Sequence, residues 1–326
     1  MAEWLIEQGI GEVRAILVER GEILEACIEL PETVPVGSVR PARLTKILVK
    51  GRRGLATLET GEEAIVEALP PQLTEGQALH VEITREPIPE AGRPKRALCL
   101  HSESEPRTGP RLAERLGRTA RHGPPGRDGF EAAGWSELLE EATGGEIAFP
   151  GGALRMSVTP AMTLFDVDGT LPPAALAVAG ARAAGLAIRR MGVGGSIGID
   201  LPTLAGKAER QAAAAALDAV LPQPFERTAV NGFGFLQVVR RRARVSLPEL
   251  LQSDPAGAAA RALLRRAEWE TGTGERIVHA APPVIARLEA RPDWLEELAR
   301  RTGARISLRA EPGLAISAGH VHSTQI

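Results

Sequence analysis

A chain of 326 residues, 44% hydrophobic and 25% charged, has the balance of a soluble globular protein and the length for about two or three domains. A net charge of −2 excludes a whole-molecule field strong enough to announce nucleic-acid binding, and two lone cysteines, Cys27 and Cys99, exclude a disulfide scaffold or a CxxC zinc knuckle. No apolar run approaches the roughly 18 residues of a membrane span, and the acidic start MAEWLIEQGIGEVRA lacks a signal peptide's basic region, so a cytoplasmic protein without a membrane segment is expected.

Aromatics make up 3% of the chain and Tyr is absent, so the core must be built from Leu, Val, Ile and Ala. EVRAILVERGEILEACIEL alternates with a period of two on either side of Gly21, which predicts an N-terminal hairpin within residues 1–35. Residues 36–100 hold short strands split by Gly and Pro: ARLTKILVKG, GLATLET, EEAIVEAL, QALHVEITREP and KRALCLH. That spacing suggests a small barrel of OB type, its edge exposing Lys46, Lys50, Arg52, Arg53, Arg85, Lys95 and Arg96. Residues 101–129, rich in Pro, Gly, Ser and Arg, read as a mobile basic linker.

From 130 to 250 strands and helices alternate. FEAAGWSELLEEAT is a helix, then EIAFP, LRMSVTP and AMTLFDV are strands. PPAALAVAGARAAGLAIRRM is a long helix opened by proline, GSIGIDL a buried strand and AERQAAAAALDAVLP a helix. ERTAVNG is a strand, and FLQVVRRRARVSL an element carrying arginines. Residues 251–326 give a helix (AGAAARALLRRAEWE), a strand (ERIVHAAP), one helix (PPVIARLEARPDWLEELARRTG) stopped by Gly303, and a strand (ARISLRAEP). The fold class expected is α/β, α+β overall: hairpin, OB-like barrel, linker, α/β catalytic domain and small α/β C-terminal segment.

The stretch TLFDVDGTL carries the chemistry. With Gly169 opening a turn, Asp166 and Asp168 can approach one ion at a strand end, and Asp200 ends the next strand after one crossover. Three carboxylates converging at a sheet edge suit magnesium, a hard cation. Spacing alone leaves the ordinary alternative open, in which Asp168 and Gly169 make a turn and cap a helix. MGVGGSIGID fails as a nucleotide loop because a strand follows its glycines. His101, His122, His279, His320 and His322 show no spacing that suggests a metal or a triad. Arginines cluster at Arg189–Arg190, at Arg240, Arg241 and Arg242 with Arg244, and at Arg261 with Arg265–Arg266. A basic cluster is usually a solvated face, but several beside a candidate metal site suggest phosphate binding.

FDVDGTL resembles the opening motif of haloacid-dehalogenase phosphatases, where Asp166 would be the nucleophile and Asp168 the general acid. No later acidic pair completes that family's magnesium shell. A resemblance to the ribonuclease E/G family runs through more of the chain. GGEIAFPGGALRMSVTPAMTLFDVDG, LAIRRMGVGGSIGIDLPTL, ERTAVNGFGFLQVVRRR and the tail IVHAAPPVIARLEARPDWLEELARRTGARISLRAEP are similar to successive blocks of that family, the last to its ribonuclease G branch. The resemblance implies a magnesium-dependent endoribonuclease, with manganese as a substitute ion. Asp166 and Asp200 would be catalytic metal ligands supported by Asp168. Single-stranded RNA would be cut by an activated water to leave a 5′-phosphate and a 3′-hydroxyl, in RNA processing or decay. Its phosphates would be held by Arg189, Arg190, Arg240, Arg241, Arg242 and by Lys50, Arg52, Arg53, Arg85 and Lys95 of the barrel. Relative to that family the chain lacks a counterpart of the 5′-monophosphate sensor, the CxxC zinc link and barrel aromatics. No zinc and no zinc-linked dimer are therefore expected, though another homodimer stays open. The alternative function is an RNA-binding paralogue that no longer cleaves.

Overall fold

The computed structural model describes residues 1–90, 94–118, 126–272 and 274–324. In chain order these form β1 (Glu3–Gln8), β2 (Val13–Glu19), β3 (Glu22–Glu29), β4 (Val39–Val49), β5 (Arg53–Leu58), β6 (Glu63–Glu67), β7 (Ala78–Arg85) and β8 (Ala97–Ser102). There follow α1 (Leu112–Arg115), a 3-10 turn at Glu131–Ala133, α2 (Trp135–Gly144), β9 (Glu146–Phe149), β10 (Gly152–Val158), β11 (Thr163–Gly169), α3 (Pro173–Arg190) and β12 (Gly195–Asp200). Then come α4 (Lys207–Asp218), β13 (Glu226–Arg227), β14 (Phe235–Arg240), α5 (Leu247–Ser253) and α6 (Pro255–Trp269). The chain ends in β15 (Arg276–Ala280), α7 (Pro282–Glu289), α8 (Pro292–Thr302), β16 (Ile306–Ala310) and β17 (His320–Ser323).

This mixed α+β chain divides into two units: Met1–Pro31 with Leu116–Thr143 and Leu250–Ile326, and Glu32–Arg115 with Gly144–Glu249. The unit boundaries fall inside three of the stretches expected from the sequence, 1–35, 101–129 and 130–250, while 36–100 and 251–326 each lie within one unit. The N-terminal strands group with the C-terminal segment, and the barrel groups with the sheet of residues 144–249.

In the second of these units β4 to β8 close a five-stranded barrel in the order β4-β5-β6-β8-β7, completed by β4 pairing with β7. Alternating inward residues fill it: Leu44, Ala56, Ala64, Val66, Val81 and Cys99 are all fully buried. Gly54 lets β5 bend past β4, since a Cβ there would stand 2.8 Å from Leu44 Cδ1 and 3.0 Å from the Lys46 carbonyl. The expected linker is anchored over its first half. Arg107 pairs with Val39, Gly109 donates to Ser38 Oγ at 2.8 Å, Arg111 donates to the Thr33 carbonyl at 3.0 Å, and Leu112 is buried in α1. Residues 119–125, with His122, lie outside the described residues.

The same unit holds a six-stranded sheet, ordered β13-β14-β12-β11-β10-β9, in which β11 and β12 are parallel. Burial alternates along its strands. Leu154, Met156, Phe165, Val167, Ile197, Ile199, Leu236 and Val238 point to the buried face, while Arg155, Asp168, Asp200 and Val239 stand exposed on the other. Small residues let the helices close on the buried face. A Cβ on Gly180 of α3 would collide with Val167, and one on Gly185 would stand 2.7 Å from Val220, just beyond α4.

In the other unit β1-β2-β3 form an antiparallel meander whose second turn places Arg20 (φ 54°) and Gly21 (φ 84°) in the left-handed region, as a two-residue hairpin requires. Of the cluster Arg261 with Arg265–Arg266, read from the sequence as a basic face, Arg266 stays exposed, but Arg261 and Arg265 are buried. Arg261 donates to Glu12 at 2.9 Å, and Arg265 meets Glu7 at 3.1 Å, Asp128 at 2.6 Å and Glu131 at 3.0 Å. Burial opposes this charge on Arg265, but the carboxylates win and its pKa is raised. The three-stranded sheet β16-β15-β17 packs one face on α6, α7 and α8 through Val278, Ala280, Leu263, Val284 and Leu298. The helix expected over residues 282–303 is two helices, because Pro292 cannot continue α7 and instead opens α8. No helix among the described residues is long and apolar enough to cross a membrane.

Candidate functional site

Asp166 ends the paired part of β11 and Asp200 ends β12, and the two are register partners on parallel strands. Their side chains therefore leave the same exposed sheet face from neighbouring strands about 4.8 Å apart. α3, the crossover between these strands, makes this possible by returning the chain to lay β12 alongside β11. Asp168 needs no turn to join them. Gly169 still pairs with Gly152, and a spacing of two along β11 puts Asp166 and Asp168 on one face. Asp168 stands one pleat beyond the β12 pairing and meets Arg155 of β10 at 3.6 Å, both side chains being largely exposed. Arg155 is also the cross-strand partner of Asp166. Arg155 is absent from the residues expected at the site, although its outward position in the alternation of LRMSV marks it.

Three carboxylates thus face one guanidinium. Like charges placed opposite one another on adjacent strands destabilise a sheet, so the arrangement favours a cation. The donors are hard oxygens, at the open carboxyl ends of two parallel strands, which suits magnesium or manganese. Among the described residues, however, the one group of three or more His, Cys, Asp or Glu side chains that converges closely enough to hold an ion lies elsewhere, at His279, His320 and His322. The aspartate site is a pair with a neighbour.

Two phenylalanines complete this end of the sheet. Phe235 is the register partner of Asp200, and its ring lies over Gly198, where a Cβ would stand 2.6 Å from Phe235 Cζ. This close approach accounts for the second glycine of GSIGID. Phe233 projects from the preceding turn with 83% of its surface exposed. The turn is fixed by Asn231, whose Oδ1 accepts from the amides of Phe233 at 2.9 Å and Phe235 at 3.0 Å. Phe233 lies outside the barrel, where aromatics for stacking are expected, and a single Phe in a turn gives no periodic signal.

The expected arginines are not brought to the aspartates. Arg240 pairs with Gly195 at the start of β12, whereas Asp200 ends it. Five residue steps at about 3.3 Å separate the two ends by about 17 Å. Arg189 and Arg190 close α3, which runs back toward that same starting end. The error is topological: a helix crossover carries basic residues at its end away from the strand tip where it began.

Arg242 is tied within the chain, paired with Glu249 and lying 3.8 Å from Glu90. The barrel joins the sheet here, with the Glu86 amide donating to the Ala243 carbonyl at 3.0 Å and Lys95 Nζ to the Pro160 carbonyl at 3.0 Å. Burial, and then neighbouring Arg242, lower the Arg85 pKa. Along the barrel edge Arg53 meets Glu67 at 2.6 Å, Arg96 meets Glu63 at 2.6 Å and Lys95 pairs with Glu90. Lys46, Lys50 and Arg52 stay exposed at the β4–β5 hairpin, with no side-chain partner among the described residues.

Compared with protein-family models and with curated proteins, the sequence matches none.

Proposed function

We propose that this chain is a divalent-metal-dependent endoribonuclease acting on single-stranded RNA, as its resemblance to the ribonuclease E/G family implies. The observation that carries the reading is the side-by-side placement of Asp166 and Asp200 at an exposed strand end with excess negative charge. Asp166 and Asp200 would hold magnesium, with Asp168 supporting them. When bound, magnesium supplies an acidified water and offsets charge on the scissile phosphate, consistent with 5′-phosphate and 3′-hydroxyl products. Arg155, exposed beside Asp168, is free to turn toward a phosphate oxygen. Phe233 offers a face for a neighbouring base.

The barrel order first-second-third-fifth-fourth, closed between first and fourth strands, supports an OB-fold, a common single-strand binder. Lys46, Lys50 and Arg52 are its candidate phosphate contacts. The second reading, RNA binding without cleavage, draws on the failure of the three aspartates to converge as a closed ligand set.

A fluorescent single-stranded RNA, incubated with and without magnesium, separates the two. Magnesium-dependent cleavage that disappears in Asp166→Asn/Asp200→Asn supports the nuclease. Binding without cleavage supports the second reading, and cleavage surviving the double substitution removes the proposed site. Hydrolysis of p-nitrophenyl phosphate that is lost on Asp166→Asn would revive the phosphatase.

A further inference from the structure

His279, His320 and His322 meet on the outer face of the sheet β16-β15-β17, and each offers a ring nitrogen within 4.8 Å of the others. His279 and His320 are register partners, while His322 pairs with Ile277, two residues from His279 on the same face. Val278, Ala280 and Val321, on the alternate positions, pack against the helices. The His279 ring stacks 4.8 Å from His320 and 5.0 Å from His322.

Two further features point to a ligand. Glu311 accepts from His279 Nδ1, which leaves the lone pair on Nε2. That Nε2 is buried and has no hydrogen-bond partner, a cost that a metal ion in line with it would remove. A carboxylate behind one histidine, with the far nitrogen turned toward two more, is the arrangement that orients imidazole on zinc. Arg309, the register partner of His279 on β16, is exposed and opposes a cation. Glu311 balances it.

We infer that His279, His320 and His322 form a transition-metal site with zinc as its occupant. Glu311 positions His279, and the fourth coordination position is open to water. Imidazole donors select zinc, cobalt, nickel or copper over magnesium, so this site differs in chemistry from the aspartate pair. Tetrahedral zinc with bonds of about 2.0–2.1 Å places its nitrogens about 3.3 Å apart, which asks for modest rotation of the two exposed rings. Bound metal would also clamp β17, the last strand, to β15.

The test uses full-length protein without a histidine tag, stripped by chelator and titrated with cobalt at pH 7.5 in excess magnesium, which keeps cobalt from the aspartate pair. The visible absorption spectrum and equilibrium dialysis are then read. One cobalt per chain should bind, with an intense four- or five-coordinate spectrum, and excess zinc should displace it while excess magnesium does not. Asp166→Asn/Asp200→Asn should leave both spectrum and stoichiometry intact. Glu311→Gln should weaken affinity about 10–100-fold. His320→Ala/His322→Ala should abolish the spectrum. Should that variant not fold, His322→Gln alone, which keeps size and polarity, should still lose it. No uptake by the unsubstituted protein, a weak six-coordinate spectrum, or uptake unchanged by the histidine substitutions would overturn the assignment.

Discussion

Replacing Asp200 by Asn removes one of two like charges held side by side on β11 and β12. At about 5 Å their repulsion is about 0.8 kcal/mol in water. Screening at physiological ionic strength reduces this to about 0.4 kcal/mol. With no metal present, the substitution should therefore stabilise the unit that holds the sheet. At about 2–4 °C per kcal/mol for a domain of this size, its midpoint should rise by about 2–3 °C in low salt. Magnesium reverses the ranking. At ten times its dissociation constant, an ion that binds only the folded state adds about 1.4 kcal/mol. The unsubstituted protein should gain about 3–6 °C from it and Asp200→Asn should gain little. Calorimetric scans of chelator-treated protein with and without magnesium read both quantities, and RNA cleavage measured in parallel should fall to background. A loss of metal-free stability in Asp200→Asn, or a magnesium increment equal to that of the unsubstituted protein, would refute the reasoning, because the carboxylate would then be holding the fold together.

Joint replacement of Lys46, Lys50 and Arg52 by Ala should lower RNA affinity and make the slope of log affinity against log salt shallower by about 2, at about 0.7 per phosphate contact, measured by fluorescence anisotropy. Arg242→Ala should act differently: it leaves Glu249, which is 4% exposed, without its cation and with only the Ser246 amide at 2.9 Å, so it should cost about 3–5 kcal/mol of stability in denaturant titrations. Phe233→Ala should weaken single-stranded RNA binding by about 1–3 kcal/mol without moving the melting midpoint, since the ring touches solvent and not core. Burial in the barrel pushes the Cys99 thiol up to about 12, so at pH 8 it should resist maleimide in native protein and label fully in denaturant, as read by peptide mass. Fast native labelling there would mean that the barrel opens.

The barrel strands and the helices α3, α4 and α6 were legible because their periods of two and 3.6 run for whole elements. The aspartate pair was legible through one rule, the crossover that lays a strand parallel to its predecessor. That rule also says which end of the sheet a helix terminus reaches, and applied to α3 it would have separated Arg189 and Arg190 from the site. Short elements were lost. Glu3–Gln8 looked like an acidic terminus, and His320–Ser323 carries too few residues for a periodic signal. The anchoring of 101–112 depended on Ser38, Val39 and Thr33, partners distant in sequence, while its composition was that of a tether.

Missing β17 had the larger consequence, because the histidines could be judged only after that strand existed. His320 and His322 are two apart, which in an extended segment means one face, but without a strand there that spacing suggested no metal. What no spacing could supply was His279 on the neighbouring strand and Glu311 behind it. The same holds for Arg155 and Asp168, and for Phe235 over Gly198. In each case the chemistry depends on strand register, which is fixed by how a whole sheet buries its other face. At β11 and β12 the buried face is set by Phe165, Val167, Ile197 and Ile199, and at β15 and β17 by Val278, Ala280 and Val321. Apolar residues with no chemistry of their own thus decide which carboxylates and which imidazoles meet, so a one-residue slip in either sheet would erase its site.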